Sequence, residues 1–321
     1  MQPPNLPSKN LQTLDLDIQI TDLSKANLFK GNTTSTSLSL NIDTQKPQIN
    51  ILVNSYKITQ GGSALVIFRV MDKHLKDITI SNGINQFNAH PFYKEGYYIS
   101  LLAWPKNNQS FNAQIHANDS AGNKSIMPIK FFIAPKTYKS SNISINDSFI
   151  DGKLSDLVEE IGERQLTSFK DKVSIFQYIN EDVRHKSIKR IQESLSNLPQ
   201  EKIDNFKIYP FYPLKNGAVM ASFGDSRTFF YKGESISQSH HMGLDLASIK
   251  QAPIIASKEG QLVINQFVGI NGNTIVLYHG LGLASLYSHL AESTVRLGEE
   301  ISKGSVIAIQ GKTGLAFGDH L

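Results

Sequence analysis

The chain has 321 residues, 40% hydrophobic and 19% charged, which is typical of a folded globular protein and excludes a wholly disordered one. Its formal net charge is +4, and no dense cluster of lysine and arginine with aromatic residues occurs, so we expect no nucleic-acid partner. Because cysteine is absent, thiolate metal sites, thiol nucleophiles and disulfides are excluded, and any metal must be held by His, Asp or Glu.

The ends of the sequence carry no recognisable targeting signal. The first twenty residues lack a basic segment followed by an apolar run, and no later stretch reaches 18 consecutive apolar residues. The last residues, Gly318 to Leu321, follow an apolar, glycine-rich stretch with no polar tail. We therefore expect a fragment of a longer protein, with any membrane anchor upstream of it. The sequence does not predict an oligomeric state.

Residues 1–135 are rich in short β-type runs separated by polar turns, a pattern typical of a β-sandwich. A weak repeat, a polar loop followed by a final strand, occurs once near residue 35 and again near residue 126. The pattern resembles bacterial immunoglobulin-like repeats, with residues 1–44 as a partial module and residues 45–135 as a complete one. We expect the single tryptophan, Trp104, to be a core residue.

Residues 150–200 change to helical periodicity. Leu154, Leu157, Val158 and Ile161 recur at helical spacing, and a second such series begins at Phe169. We predict two or three helices that form a connector and that could cover a neighbouring groove. Prolines at 199, 210 and 213 then introduce a new domain.

Residues 205–321 combine regularly spaced glycines with short apolar runs, which predicts a compact antiparallel β domain. The predicted fold class is therefore mainly β, with a helical connector in the middle. Five of the nine histidines lie in this last region.

The pentapeptide His241-Met-Gly-Leu-Asp245 is a candidate metal-binding segment. Imidazole and carboxylate both suit zinc. The alternation of Leu244, Asp245 and Leu246 predicts a strand at Asp245, and Gly243 would let the chain return so that His241 reaches the same ion. The alternative is that Asp245 is a turn or cap residue and His241 lies in a surface loop.

Two further histidines follow strand-like segments. If the strand that contains Tyr287 continues, His289 lies on the same face as Tyr287, because residues two apart in a strand point the same way. His289 could then stabilise an oxyanion or simply pack across strands. His320 is the first half of what would be a His-x-His pair, whose second member would be residue 322.

The last hundred residues resemble the catalytic domain of the M23 peptidases, the lysostaphin-type or LytM-type zinc endopeptidases. The matching segments occur in the family order. They are Phe223-Gly-Asp-Ser-Arg227, His241-Met-Gly-Leu-Asp245-Leu-Ala, Pro253-Ile-Ile-Ala-Ser-Lys-Glu-Gly260, Gly272-Asn-Thr-Ile-Val-Leu-Tyr-His-Gly280, Leu286-Tyr-Ser-His-Leu290, Gly298 with Gly304, and Gly311-Lys-Thr-Gly314 through Gly318-Asp-His-Leu321.

This resemblance implies the site residues and the cofactor. His241 and Asp245 would be Zn²⁺ ligands, with the third ligand at position 322, which the sequence does not include. His320 would be the catalytic base and His289 the second catalytic histidine. Without residue 322 the chain would bind zinc poorly, or His320 would take the place of the missing ligand.

The resemblance also implies the function. We expect a zinc-dependent metallopeptidase that hydrolyses the peptide cross-links of peptidoglycan during cell-wall remodelling, located in the bacterial cell envelope, in the periplasm. Two alternatives remain open at this stage. One is a catalytically inactive M23-type scaffold that regulates another cell-wall hydrolase, and the other is a cell-wall binding protein whose β modules carry the main activity.

Overall fold

The computed structural model of the protein describes residues 12–196, 198 and 203–321, and it begins with a β-hairpin. Strands β1 (Thr13–Thr21) and β2 (Thr33–Asn41) pair antiparallel around the short helix α1 (Ala26–Phe29). Apolar side chains such as Ile20 and Leu38 stay exposed. The first eleven residues of the predicted partial module lie outside the described residues.

A β-sandwich follows, built from ten strands in two main sheets. The strands are β3 (Gln48–Asn54), β4 (Lys57–Thr59), β5 (Ser63–Met71), β6 (Leu75–Ser81), β7 (Gln86–Asn88), β8 (His90–Pro91), β9 (Tyr97–Ala103), β10 (Gln114–Asp119), β11 (Lys124–Pro128) and β12 (Phe132–Ala134). The two antiparallel sheets have the orders β3-β5-β9-β8 and β11-β10-β6-β7, and β12 pairs parallel with β4. The relation of this β-sandwich to immunoglobulin-like modules stays a prediction. So do the domain boundaries at residues 44, 135, 150 and 205.

The sandwich core follows from alternation along the strands. In β5 every second side chain is buried, so Phe68 and Val66 face the opposite sheet, where they meet Ile80 and Ile115. Trp104 is buried, as predicted, and its indole N–H donates to the Asn108 carbonyl at 2.8 Å.

The connector contains one strand and two longer helices. Strand β13 (Ser140–Ile145) precedes helix α2 (residues 147–161) and helix α3 (residues 172–196), which are separated by a short 3₁₀ turn, Leu166–Ser168. Each helix includes a π-helical stretch, Ile150–Leu154 in α2 and Tyr178–Val183 in α3. Residues 197 and 199–202 of the predicted connector lie outside the described residues.

Side-chain caps define where the helices begin and end. Asn146 accepts a hydrogen bond from the backbone N–H of Phe149 and starts α2, which ends at Gly162 with a left-handed φ of 70°. Asp171 and Ser174 form a capping box at the start of α3. The inner faces of both helices, including Leu154 and Phe176, pack on Phe229 of the next domain.

The C-terminal domain consists of short strands around one core. They are β14 (Ala218–Ala221), β15 (Ser226–Tyr231), β16 (Glu234–His240), β17 (Asp245–Ala247), β18 (Pro253–Ile255), β19 (Gly260–Phe267), β20 (Asn273–Tyr278), β21 (Ala284–Tyr287), β22 (Glu292–Ser293), β23 (Glu300–Ile301) and β24 (Val306–Ile309), with a 3₁₀ turn at Gly269–Asn271. Sheets of order β21-β20-β19-β23, β18-β24-β22 and β14-β17 are antiparallel, and Ile254, Leu277 and Ile307 are fully buried between them. The mainly β fold class is confirmed.

One sheet departs from the predicted antiparallel pattern. In the sheet β13-β15-β16, connector strand β13 pairs parallel with β15, from Ser140 opposite Ser226 to Ile145 opposite Tyr231. Parallel pairing is available because β13 arrives through a long crossover rather than a hairpin. The connector is therefore joined to the C-terminal domain by backbone hydrogen bonds.

Tyr138 lies between the β-sandwich and the C-terminal domain. Its hydroxyl donates to the Gln60 carbonyl at 2.6 Å, and its ring meets Phe223 edge-on at 5.8 Å. Gly224 has a φ of 89°, and a Cβ there would lie 2.1 Å from the Tyr138 ring. Only glycine allows this approach.

Across the described residues, every helix is too short or too polar to span a membrane.

Candidate metal centre

A cleft of about 1270 Å³ lies between the C-terminal β domain and helix α3. The β domain contributes the four predicted site residues, His241, Asp245, His289 and His320. Helix α3 contributes an opposite wall that includes Arg184, Ile188 and Ile191. The predicted helical connector therefore lines the cleft directly.

His241 and Asp245 meet at the junction of β16 and β17. His241 follows the last residue of β16 and Asp245 begins β17, as predicted for a strand residue. His241 Nε2 lies 2.8 Å from Asp245 Oδ1. His241 Nδ1 lies 3.0 Å from the Ser222 carbonyl, which can only accept, so Nδ1 donates to it. Nε2 is therefore the nitrogen that donates to Asp245 in the metal-free protein and that a metal would bind in place of this proton.

The loop between His241 and Asp245 does not need the wider backbone freedom that was expected of Gly243. Gly243 does not have a positive φ. A Cβ built on it would lie 3.7 Å from His241 Nε2, which is an ordinary contact distance. The return of the chain is thus produced by the loop as a whole, and the absent side chain leaves space beside the ligand nitrogen.

Asp245 is ionised because of its partners. Burial on its own would raise the pKa of Asp245, but the hydrogen bond and the charge of His241 oppose it, and the net effect lowers the pKa. Arg227 Nη2 lies 3.6 Å from the second carboxylate oxygen, and Arg227 Nε lies 3.3 Å from Asp225. The Arg227 guanidinium therefore links two carboxylates at the base of the cleft.

His289 lies in a turn beyond β21. The strand ends at Tyr287, and His289 has a left-handed φ of 62°, so the expectation that the two share a strand face is wrong. Tyr287 points into the core, whereas His289 lines the cleft. The backbone N–H of His289 donates to Asn271, which holds this sparsely populated conformation in place.

The His289 ring is held by the same kind of contact as the ring of His241. Its Nδ1 lies 2.8 Å from the Thr313 carbonyl, so Nδ1 is the protonated nitrogen and Nε2 faces the cleft. Burial, and next the charge of His320, lower the pKa of His289 to about 4. His289 is therefore neutral at neutral pH.

His320 completes the group. Its Nδ1 lies 2.8 Å from the Gly318 carbonyl, and its ring centroid lies 4.6 Å from that of His289. A bridge between His320 and Gly311 places this segment beside the loop that carries His289. A Cβ on Gly311 would lie 2.4 Å from the backbone nitrogen of Ala291, so the approach requires glycine. All four predicted site residues thus meet in one cleft.

The chain also contributes residues that sequence reasoning did not identify. Lys106, from the β-sandwich, lies 3.0 Å from both Ser226 Oγ and His240 Nδ1. His240 is therefore a domain-contact residue. Nothing near Lys106 in sequence could have signalled this contact across 134 positions. Arg227 was part of a matched segment but had no assigned role.

The residues present fit a zinc ion. Imidazole nitrogen and carboxylate oxygen are zinc donors, and the fixed Nδ1–H of His241 is the arrangement that zinc-binding histidines adopt. Two ligand atoms of a tetrahedral zinc lie about 3.3 Å apart, given metal–ligand distances near 2.05 Å. The Nε2 and Oδ1 atoms would need to separate by only about 0.5 Å from their 2.8 Å contact.

A separate carboxylate cluster occurs in the β-sandwich. Asp43, Asp72 and Asp119 each bring a carboxylate oxygen within 4.8 Å of the others. Asp119 is buried, but it already accepts hydrogen bonds from the backbone and side chain of Asn123. This cluster is not among the residues that line the cleft.

Comparison with known proteins finds similarity in the C-terminal region. A sequence profile of Peptidase family M23 matches residues 239–321. An uncharacterised metalloprotease of Haemophilus influenzae is 32% identical over 112 residues, which are 34% of this chain and 23% of that protein. The peptidoglycan DD-endopeptidase ShyA of Vibrio cholerae is 33% identical over 81 residues, 25% of this chain and 19% of that protein.

A solved structure aligns over more of the chain. A crystal structure of a peptidase M23 from Pseudomonas aeruginosa covers 82% of this chain and 86% of its own, with 16% identity and a TM-score of 0.43. The matches to the two curated relatives span less than a quarter of the length of either protein.

Proposed function

Residues 239–321 are a peptidase family M23 domain, and from this premise we propose that the protein is a zinc-dependent endopeptidase acting on the peptide cross-links of bacterial peptidoglycan. The observation that carries the proposal is the 2.8 Å contact between His241 Nε2 and Asp245 Oδ1, in a cleft that also holds His289 and His320. The similarity to a peptidoglycan DD-endopeptidase supports the substrate class. The same substrate supports a place in the bacterial cell envelope, in the periplasm.

We assign metal binding to His241 and Asp245. Zinc would supply Lewis-acid activation of water and of the peptide carbonyl. His241 is oriented for binding by Ser222, and Asp245 is held ionised by His241 and Arg227. A third protein donor is expected from the position after Leu321 in a longer chain.

Proton transfer falls to one of the two neighbouring imidazoles. His289 and His320 each donate Nδ1–H to a carbonyl, so each presents Nε2 to the cleft and in the neutral form can only accept a proton there. His320 is the proposed base. A neutral His289 cannot donate to an oxyanion from Nε2, and its lowered pKa makes it a weak base, so proton acceptance stays with His320.

His320 can also serve the second half of the reaction. Once His320 has taken a proton from water it becomes a donor, and its Nε2–H can hydrogen-bond the developing oxyanion or protonate the leaving amine. The His289 ring, with its centroid 4.6 Å from that of His320, lies beside this donor. The presence of both rings, together with His241 and Asp245, favours an enzyme over an inactive scaffold.

The test is cleavage of purified cross-linked muropeptides by a chain that carries histidine after Leu321. We expect cleavage that a chelator abolishes and that zinc restores, and that is lost in His241→Ala. Cleavage that persists in excess chelator, or in His241→Ala, would contradict the metal assignment. Intact metal binding without any cleavage would favour the scaffold.

A further inference from the structure

Arg184 is a cation in the cleft wall, and the described residues give it no counterion. Its Nε and Nη2 atoms donate to the carbonyl and side-chain oxygens of Asn180, one turn earlier in α3, at 2.8–3.2 Å. It forms no ion pair with any residue in the described part of the chain. Arg227, the other arginine of the cleft, is by contrast paired with two carboxylates.

Helix α3 places Arg184 beside the metal centre. Gln177 donates to the Ile236 carbonyl, and Asn180 donates to Ser237 Oγ and to the Gln238 carbonyl, so α3 runs along β16 toward the strand end. Arg184, one turn beyond Asn180, lines the same cleft as His240 and His241.

Burial of the charged Arg184 guanidinium without a counterion costs free energy. Burial, and next the positive charge of Arg227, lower the pKa of Arg184 to about 10. Two of the three acids that line the cleft are already engaged, since Asp225 is bonded to Ser141 and Arg227 and Asp245 to His241 and Arg227. The third, Asp319, lies on the C-terminal segment and forms no ion pair with Arg184 in the described part of the chain. A neutral side chain could donate to the Asn180 oxygens without the free-energy cost of burying a charge. The positive charge of the guanidinium is therefore suited to binding an anion from solution, which would offset that cost.

We propose that Arg184 is a specificity-determining residue that binds a carboxylate of the peptide substrate in the cleft. This inference rests on the proposed function, because it takes the occupant of the cleft to be a peptide substrate that carries a free carboxylate. The planar guanidinium matches a carboxylate with two parallel hydrogen bonds, which an ammonium cannot reproduce. Ile188 and Ile191, on the following turns of α3, would contact the apolar part of the same peptide.

The experiment measures binding rather than cleavage, on the full chain without added metal. The probe is a synthetic stem tetrapeptide with all carboxylates free, compared with the same peptide with all carboxylates amidated. We expect the free acid to bind about 10- to 100-fold more tightly, the range that one charge-assisted hydrogen-bonded pair provides. Equal binding of the two peptides, or no binding of either, would overturn the proposal without the use of any variant.

Variants identify the residue responsible. Arg184→Gln is expected to bind both peptides with the affinity of the amide, and Arg184→Lys to keep only part of the preference for the acid. Lys189→Gln is the matched control, because Lys189 is exposed on the same helix, pairs with Glu193 and does not line the cleft. An undiminished preference in Arg184→Gln would overturn the proposal. Since no step depends on hydrolysis, an inactive protein that still prefers the acid would contradict only the proposed enzymatic function.

Discussion

Leu321 and Leu246 exchange both of their backbone hydrogen bonds, with N···O distances of 2.8 and 2.9 Å, as directly opposed residues of an antiparallel pair do. Both side chains are buried in the same core cluster. In this register the position after Leu321 lies opposite Asp245, and the alternation of side chains turns it to the side of the sheet that carries the Asp245 carboxylate.

The first prediction concerns that position. A chain extended with histidine at 322 should bind zinc more tightly than one extended with alanine. Loss of an outer-shell partner already changes metal affinity about 10- to 100-fold, and a direct ligand should have a larger effect. Competition with a chromophoric chelator measures the affinity. Asp245→Asn in the histidine-extended chain is the control and should lose most of the gain, and equal affinities for the two extensions would contradict the register.

The second prediction concerns the ionisation of His289. In the metal-free protein its ring should titrate near pH 4 by NMR, because burial and then the charge of His320 disfavour the imidazolium. His320→Gln removes the second cause, so the pKa of His289 should rise toward, but stay below, the ordinary value near 6.5. A titration near 6.5 in the unsubstituted protein would contradict the burial of the ring.

The same shift has a consequence for stability. Because the pKa of His289 is lower in the folded than in the unfolded chain, the unfolded chain binds more protons below pH 6.5. The free energy of unfolding of the metal-free protein should therefore fall as the pH is lowered from about 6.5 to about 4. His90, whose pKa is also lowered by burial, contributes in the same direction, so His289→Asn should reduce the pH dependence but not remove it.

The third prediction tests the close packing behind His289. Gly314 has a φ of 67°, and a Cβ there would lie 2.3 Å from the backbone nitrogen of Gly272. Gly314→Ala should lower the free energy of unfolding by about 2–5 kcal/mol, as backbone strain and overpacking add. Urea unfolding measures this. Gly152→Ala is the control, because Gly152 lies within α2 with open space around its Cα, and it should leave stability unchanged or raise it by up to about 1 kcal/mol.

The fourth prediction concerns Gln310, which is fully buried. Its Nε2 and Oε1 atoms have no hydrogen-bond partner among the described residues. Gln310→Met keeps the shape and removes the two unsatisfied polar atoms, so the free energy of unfolding should rise by about 1–3 kcal/mol. Gln261→Met, at an exposed position of β19, should change it by less than about 0.5 kcal/mol. Destabilisation by Gln310→Met would indicate a buried partner for the amide.

Local patterns made part of the site predictable. The contact between His241 and Asp245 spans four residues, and the alternation around Asp245 identified its strand. The order of the matched segments then identified His289 and His320 as members of the same site. These features depend on short-range spacing and on residue chemistry, which a sequence displays directly.

Other features depend on packing between distant segments. Arg184 enters the cleft because α3 lies along β16, and helical periodicity alone does not say which strand a helix follows. His289 leaves the strand because of a left-handed backbone at a residue that is not glycine, which alternation cannot foresee. The parallel pairing of β13 with β15 likewise depends on tertiary packing, which determines the strand edge that β13 pairs with.

Because Leu321 pairs with Leu246, completion of the centre during translation depends on a segment that is synthesised well after His241 and Asp245. His241 and Asp245 leave the ribosome 75 residues or more before His320, and by then β17 still lacks the strand that closes beside it. A nascent chain thus holds two metal donors and lacks the proposed base. The centre cannot be complete until the segment after Gly311 has docked and brought His320 against His289.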